Sequence, residues 1–179
     1  MKGIVFTEFL DLVEDKFGLE MVDKILGQST LESDGVYTSI GTYSFSEMLQ
    51  LLTNLSTNTG IPTDDLLLVY GEHFFSVLSD NYQDLIAKYK DPIELLSSIE
   101  NHIHVEVRKI YPDAELPTFD VVEKNNDSLT MIYHSSRAMH HFGLGLMNKT
   151  FEHFNTKATI ELEKIKEDGT EVKFVINKK

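Results

Sequence analysis

The chain contains no cysteine. That excludes disulfides, thiolate zinc sites, iron–sulfur clusters and thiolate-ligated haem, so any soft metal must be held by histidine. No run of eighteen apolar residues occurs, so no membrane-spanning helix is expected. The opening MKGIVFTEFLDLVEDKFG carries acids inside its apolar part and lacks a small-residue cleavage site. It is therefore not expected to be a signal peptide, and the expected location is the cytosol. Positive charge is scarce. Lys and Arg number 16 against 29 Asp and Glu, giving a net charge of −13. Nucleic acid needs a basic surface and is excluded as a partner, whereas a basic docking protein would suit this chain. There is no HExxH, no G-x-S-x-G and no phosphate-cradling glycine loop.

What is present is a globular pattern. Hydrophobic residues make up 41% of 179, enough for one domain or two tightly packed halves. Phe6, Phe9, Leu10, Val13 and Phe17 step by three and four and predict a helix over 4–17, stopped at Gly18. A short helix follows over 19–26, then a polar loop over 28–42. Ser44-Phe45-Ser46-Glu47 has the form of a capping box and opens a helix through Met48, Leu51, Leu52 and Leu55. Residues 66–78, LLLVYGEHFFSVL, are apolar nearly all round and predict a helix buried on more than one face. Gly71 in its middle costs roughly 1 kcal/mol relative to alanine. Close approach by another helix or by a ligand would account for it.

Asp91-Pro92 is a good helix start, an N-cap followed by a proline whose missing N–H is harmless there. Leu96, Ile99, Ile103, Val107 and Ile110 continue as one apolar stripe until Tyr111-Pro112 stops the helix. This helix carries His102 and His104. On its wheel His104 lies with Glu100, Val107 and Tyr111, and His102 points elsewhere, toward the surface. After Pro117 the pattern changes to a hairpin (119–124 and 129–133), a helix over about 136–155 and a second hairpin (158–165 and 172–176) turning at Glu167-Asp168-Gly169-Thr170. Two hairpins make a four-stranded antiparallel sheet, and the class is α+β.

Candidate chemistry is sparse. His102/His104 and His140/His141 have no zinc spacing. A lone helical histidine is commonly structural, but eleven phenylalanines could line an apolar pocket. Tyr133, Ser135 and Arg137 place a phenol, a hydroxyl and a guanidinium at alternate positions off a strand end. Residues two apart in an extended segment share a face. They form either a clamp for a carboxylate or phosphate or an ordinary polar strand end, and the residues alone do not choose.

Two spacings carry a resemblance. His104 stands thirteen residues before Pro117, with Ile110-Tyr111-Pro112 between, and Y-x-S-x-R follows at Tyr133, Ser135 and Arg137. In this order the chain resembles the haem–nitric oxide/oxygen binding (H-NOX) family, which includes the haem domain of soluble guanylate cyclase, over essentially its whole length. The resemblance implies an N-terminal helical part (1–62) and a C-terminal α/β part (63–179) with haem b between them. It implies that His104 is the proximal iron ligand, that Tyr133, Ser135 and Arg137 bind the haem propionates, and that Pro117 presses on the porphyrin. Oxygen-binding members place a tyrosine five residues past the motif arginine, where this chain has Phe142. Phe9 and Phe74 occupy other places where such members can carry a polar group. An apolar distal wall of Ile4, Val5, Phe9, Phe74, Leu78, Phe142 and Leu146 then implies selection of NO and CO over O2 at a five-coordinate ferrous haem, with His141 the nearest polar residue.

The expected protein is thus a monomeric gas sensor of the stand-alone bacterial form, not an enzyme. It would release His104 when NO binds and signal to a sensor histidine kinase or a cyclic-di-GMP enzyme. A haem peroxidase or oxygenase would need distal acid–base groups that this wall lacks. A haem carrier would not require Pro117 and the Tyr-Ser-Arg constellation.

Overall fold

The computed structural model describes residues 1–179 and divides them into two compact units, 1–70 and 71–179. In the first, α1 (Ile4–Phe17), α2 (Leu19–Gly27) and α3 (Phe45–Thr59) pack with the opening turns of α4 (Thr63–Asn81). Gly18, at φ 85°, takes the turn between α1 and α2 in a region where a side chain would be strained. Phe6, Phe9, Val13, Met48, Leu51 and Leu55 of the predicted stripes are fully buried, as is Ile25 of α2, but Phe17 at the end of the α1 stripe is exposed and Leu12, outside it, is buried. Tyr70 is buried with them and donates its hydroxyl to the Val5 carbonyl at 2.5 Å. Burial pushes its phenol well above the ordinary range.

The predicted capping box forms only by half. Ser44 accepts from the Ser46 N–H, but Glu47 does not reach back to it. Its carboxylate is buried instead and accepts from the hydroxyls of Tyr37 (2.7 Å) and Ser33 (2.5 Å). A buried carboxylate needs such partners more than an exposed helix end needs a second cap. The 28–42 loop supplies them.

The second unit is built on a sheet of order β1 (Thr118–Lys124), β2 (Ser128–His134), β4 (Glu171–Lys178), β3 (Ala158–Lys164), antiparallel throughout. The two predicted hairpins join through β2 and β4. Strict alternation puts Leu129, Met131 and Tyr133 on one face with Val172, Phe174 and Ile176. That face forms one core with Ile93 and Leu96 of α6 (Pro92–Ser97) and with Met147 and Phe151 of α8 (His140–His153). A short α5 (Gln83–Ile86) connects α4 to α6. A bulge between Val121 and Glu123 interrupts the ladder of β1.

Three departures from the predicted elements have local causes. First, the helix from Asp91 is not a single α-helix. Asp91 caps α6 as expected, accepting from the Ile93 N–H at 2.8 Å. Burial alone would raise its carboxyl, but Lys178 at 2.7 Å and that N–H hold it below its ordinary value. After Ser98 the chain makes a π-turn over Ile99–Ile103 before α7 (His104–Ile110). Ser98 turns its hydroxyl to the Leu95 carbonyl (2.8 Å) and to Tyr89 (2.6 Å). Its own carbonyl accepts from both His102 and Ile103. Serine competes for backbone partners in this way inside helices, and here one extra residue is taken into the turn.

Second, His102 does not point to the surface. It is half-buried, and its Nδ1 is hydrogen-bonded to the Tyr89 hydroxyl. Third, α8 starts at His140 rather than 136. Residues 135–139 form a turn in which Ala138 takes φ 51° and the Ser135 N–H bonds to the Thr170 carbonyl.

Gly71 is explained by packing. A Cβ there would lie 2.1 Å from the Phe142 carbonyl oxygen and 3.1 Å from the Cα of Gly145. The second half of α4 therefore crosses α8 backbone to backbone, and helix contact accounts for the glycine without a ligand. Gly71→Val is expected to lower stability by about 3 kcal/mol through overpacking. Thermal denaturation would then fall by roughly 6–12 °C, at about 2–4 °C per kcal/mol for a chain of this size.

Candidate functional site

The second unit brings the proximal candidates together. His104 opens α7 and is buried, with 8% of its surface exposed. Its Nδ1 lies 2.8 Å from Glu100 Oε1. A carboxylate can only accept, so Nδ1 carries the proton and Nε2 is left as the basic nitrogen. Burial pushes the imidazole below its ordinary pKa. Glu100 opposes this, and the charge of Arg108 adds to it. At neutral pH the ring is therefore neutral with a lone pair at Nε2, the form that ligates a metal.

A row of rings continues from it. His104 lies 6.2 Å from Phe119, and Phe119 lies 5.5 Å from Tyr133. The ladder sets this order, because Phe119 of β1 pairs with Tyr133 of β2. Pro117 is half-buried at the end of the loop from α7, two residues before Phe119.

Tyr133 is buried in β2. Burial raises its phenol, and the Ser135 hydroxyl, the Met139 backbone and the charge of Arg137 hold it back. The alternation expected for the clamp holds only from Tyr133 to Ser135. The strand ends at His134, and a turn brings Arg137 round so that its N–H donates to Ser135 Oγ at 3.2 Å. The guanidinium binds Glu115 twice, at the backbone carbonyl (2.7 Å) and at Oε2 (2.5 Å). Glu115 is largely exposed, so this pair contributes no more than about 1 kcal/mol and exchanges readily for another carboxylate.

On α4 and α8 the Phe74 and Phe142 rings meet at 5.5 Å, with Leu78 and Leu146 half-buried on the same two helices. His141, the nearest polar residue in sequence, lies ring to ring with His140 at 4.5 Å. In the first unit Phe9 packs edge-on to Tyr70 at 5.4 Å, and Ile4 and Val5 are half-buried in α1.

The donor set fits a porphyrin: a buried neutral histidine with one basic nitrogen, and a phenol, hydroxyl and guanidinium suited to carboxylates. A family model described as haem-NO-binding matches residues 2–162. The chain belongs to this family. Among solved structures, the unliganded Fe(II) H-NOX protein from K. algicida is 80% identical, with a TM-score of 0.99 over 100% of this chain and 97% of that one. An H-NOX from Shewanella woodyi in the Fe(II)CO state is 36% identical, with a TM-score of 0.84 over 100% and 95%. An H-NOX protein from S. oneidensis in the Fe(II)NO state is 26% identical, with a TM-score of 0.91 over 100% and 99%. No curated protein matches the chain. This H-NOX chain thus has the family's α+β fold and its haem-based gas-sensing class, and H-NOX domains are sensors rather than enzymes. No helix is long and apolar enough to cross a membrane.

Sequence reasoning missed three partners at the site: Glu100 as the acceptor for His104, Phe119 as the ring between His104 and Tyr133, and Glu115 on Arg137. Glu100 was within reach, since a glutamate four residues before a histidine on a helix is a contact spacing. Glu115 gave no signal, because a loop sets its position.

Proposed function

We propose that this chain is a nitric oxide sensor carrying haem b on His104, working in the cytosol through a partner protein. The observation that carries the reading is the buried, neutral His104 with Nδ1 fixed by Glu100 and Nε2 available to a metal. Tyr133, Ser135 and Arg137 would hold the propionates, with Arg137 exchanging Glu115 for a propionate carboxylate. Pro117 would rest against the porphyrin. Haem held on His104 would supply an iron site for a diatomic gas and a bond to the histidine that gas binding can release.

The remaining work belongs to the chain. Phe74, Leu78, Phe142 and Leu146 offer no hydrogen-bond donor. Polarised O2 gains more from a donor than NO or CO does, so these side chains select against O2. His104, once released, no longer restrains α7 or the loop ending at Pro117, and that change is the signal. A released bond supplies the state-dependent interaction that a switch needs. With 29 acidic against 16 basic residues, the surface suits a basic docking face on a histidine kinase or a cyclic-di-GMP enzyme.

The test is the absorption spectrum of the purified protein reduced, in air, with CO and with NO. The expected result is haem that binds CO and NO, loses its histidine with NO at room temperature, and forms no stable O2 adduct. An oxygenated spectrum in air would overturn the selectivity, and a persistent six-coordinate NO spectrum would overturn the release of His104.

A further inference from the structure

We propose that Glu100 is the positioning residue for His104: it fixes the imidazole, strengthens its bond to iron and ties it to the start of β1. The inference rests on the sensor reading above. One oxygen, Glu100 Oε1, accepts from His104 Nδ1 at 2.8 Å and from the backbone N–H of Phe119 at 3.2 Å. The second contact matters because Phe119 follows Pro117 by two residues and packs between His104, at a tilt, and Tyr133, edge-on. A single carboxylate therefore joins the ligand histidine to the segment behind the proline.

The backbone around Glu100 gives it this task. Glu100 lies within the π-turn Ile99–Ile103, directly before His104. The regular ladder is widened there, and Ser98 shares its carbonyl between two N–H groups. π-turns occur frequently at functional sites. The His104 N–H bonds to the Ile99 carbonyl five residues back, and the side chain of Glu100 adds a restraint on the imidazole itself.

The charge gives it a second task. A carboxylate accepting from Nδ1–H makes Nε2 a better electron donor to a metal, and loss of such an outer-shell partner costs about 10–100-fold in metal affinity. Glu100 would thus strengthen the hold of Nε2 on a metal and oppose release of His104. Following the ring as His104 moves away, Glu100 carries the change to the start of β1.

The experiment compares wild type with Glu100→Gln and Glu100→Ala. In the ferrous haem-loaded protein the readouts are the iron–histidine stretching frequency by resonance Raman and the midpoint potential. In the haem-free protein the readout is amide hydrogen exchange at Phe119. Glutamine keeps an acceptor oxygen but not the charge. It should lower the stretching frequency and raise the potential while Phe119 stays protected. Alanine should change all three, with Phe119 exchanging roughly 10-fold faster for loss of one charge-assisted hydrogen bond. Wild-type frequency and potential in both haem-loaded variants would overturn the proposal, as would unchanged Phe119 exchange in Glu100→Ala. Failure of the wild type to take up haem would instead overturn the sensor reading, and the Phe119 exchange would still test the tie.

Discussion

Replacing His104 with glycine is expected to abolish histidine ligation and weaken haem binding by more than the roughly 10–100-fold that loss of an outer-shell partner costs. The two histidines of this segment differ in what surrounds them. His102 is half-buried with its Nδ1 on the Tyr89 hydroxyl, in a cluster completed by Ser98. His104 has its Nδ1 on a carboxylate and is the more deeply buried. In His104→Gly the ferrous spectrum should lose its histidine signature, and added imidazole should restore it by filling the vacated space. Hydrogen exchange should show α7 loosened without any gas, in the pattern that NO produces in the wild type. A spectrum unaltered by His104→Gly and altered by His102→Gly would reverse the assignment.

Phe142→Tyr is expected to create O2 binding where the wild type has none detectable. The Phe142 ring lies 5.5 Å from Phe74, and a hydroxyl added to it would give this wall of phenylalanine and leucine the donor it lacks. A hydrogen bond to a charged group contributes about 1.5–3 kcal/mol. At about 1.4 kcal/mol per tenfold, that is roughly a 10–150-fold gain in O2 affinity. Titrating the ferrous variant with O2 measures it, and CO affinity, which depends far less on a donor, is the control. Equal O2 behaviour in Phe142→Tyr and wild type would show that this position does not face the bound gas.

The legible parts of this protein were those governed by period and by local capping. The stripe of α3, that of α1 except for Phe17, the alternation of β2 and β4 and the Asp91-Pro92 start all appear where their spacing places them. Gly71 announced a close approach, although only the structure shows that α8 is the neighbour. The departures come from side chains recruited over long sequence distances. Glu47 leaves its cap because Tyr37 and Ser33 receive it in the core. Ser98 admits a π-turn partly because Tyr89 takes its hydroxyl. A helical wheel shows Glu100 and His104 as neighbours, but not the Phe119 N–H that shares the same oxygen.

The order of the sheet has one more consequence. Its open edges are β1 and β3. Strands with unpaired edges are templates for joining other chains. Here β1 carries a bulge after Val121 with Asp120, Glu123 and Lys124 around it. On β3, Glu161, Glu163 and Lys164 are charged along the strand. Bends and charges of this kind oppose fibril-like stacking. Haem-free chains awaiting their cofactor should therefore stay dispersed at concentrations where a flat, uncharged edge would seed precipitation.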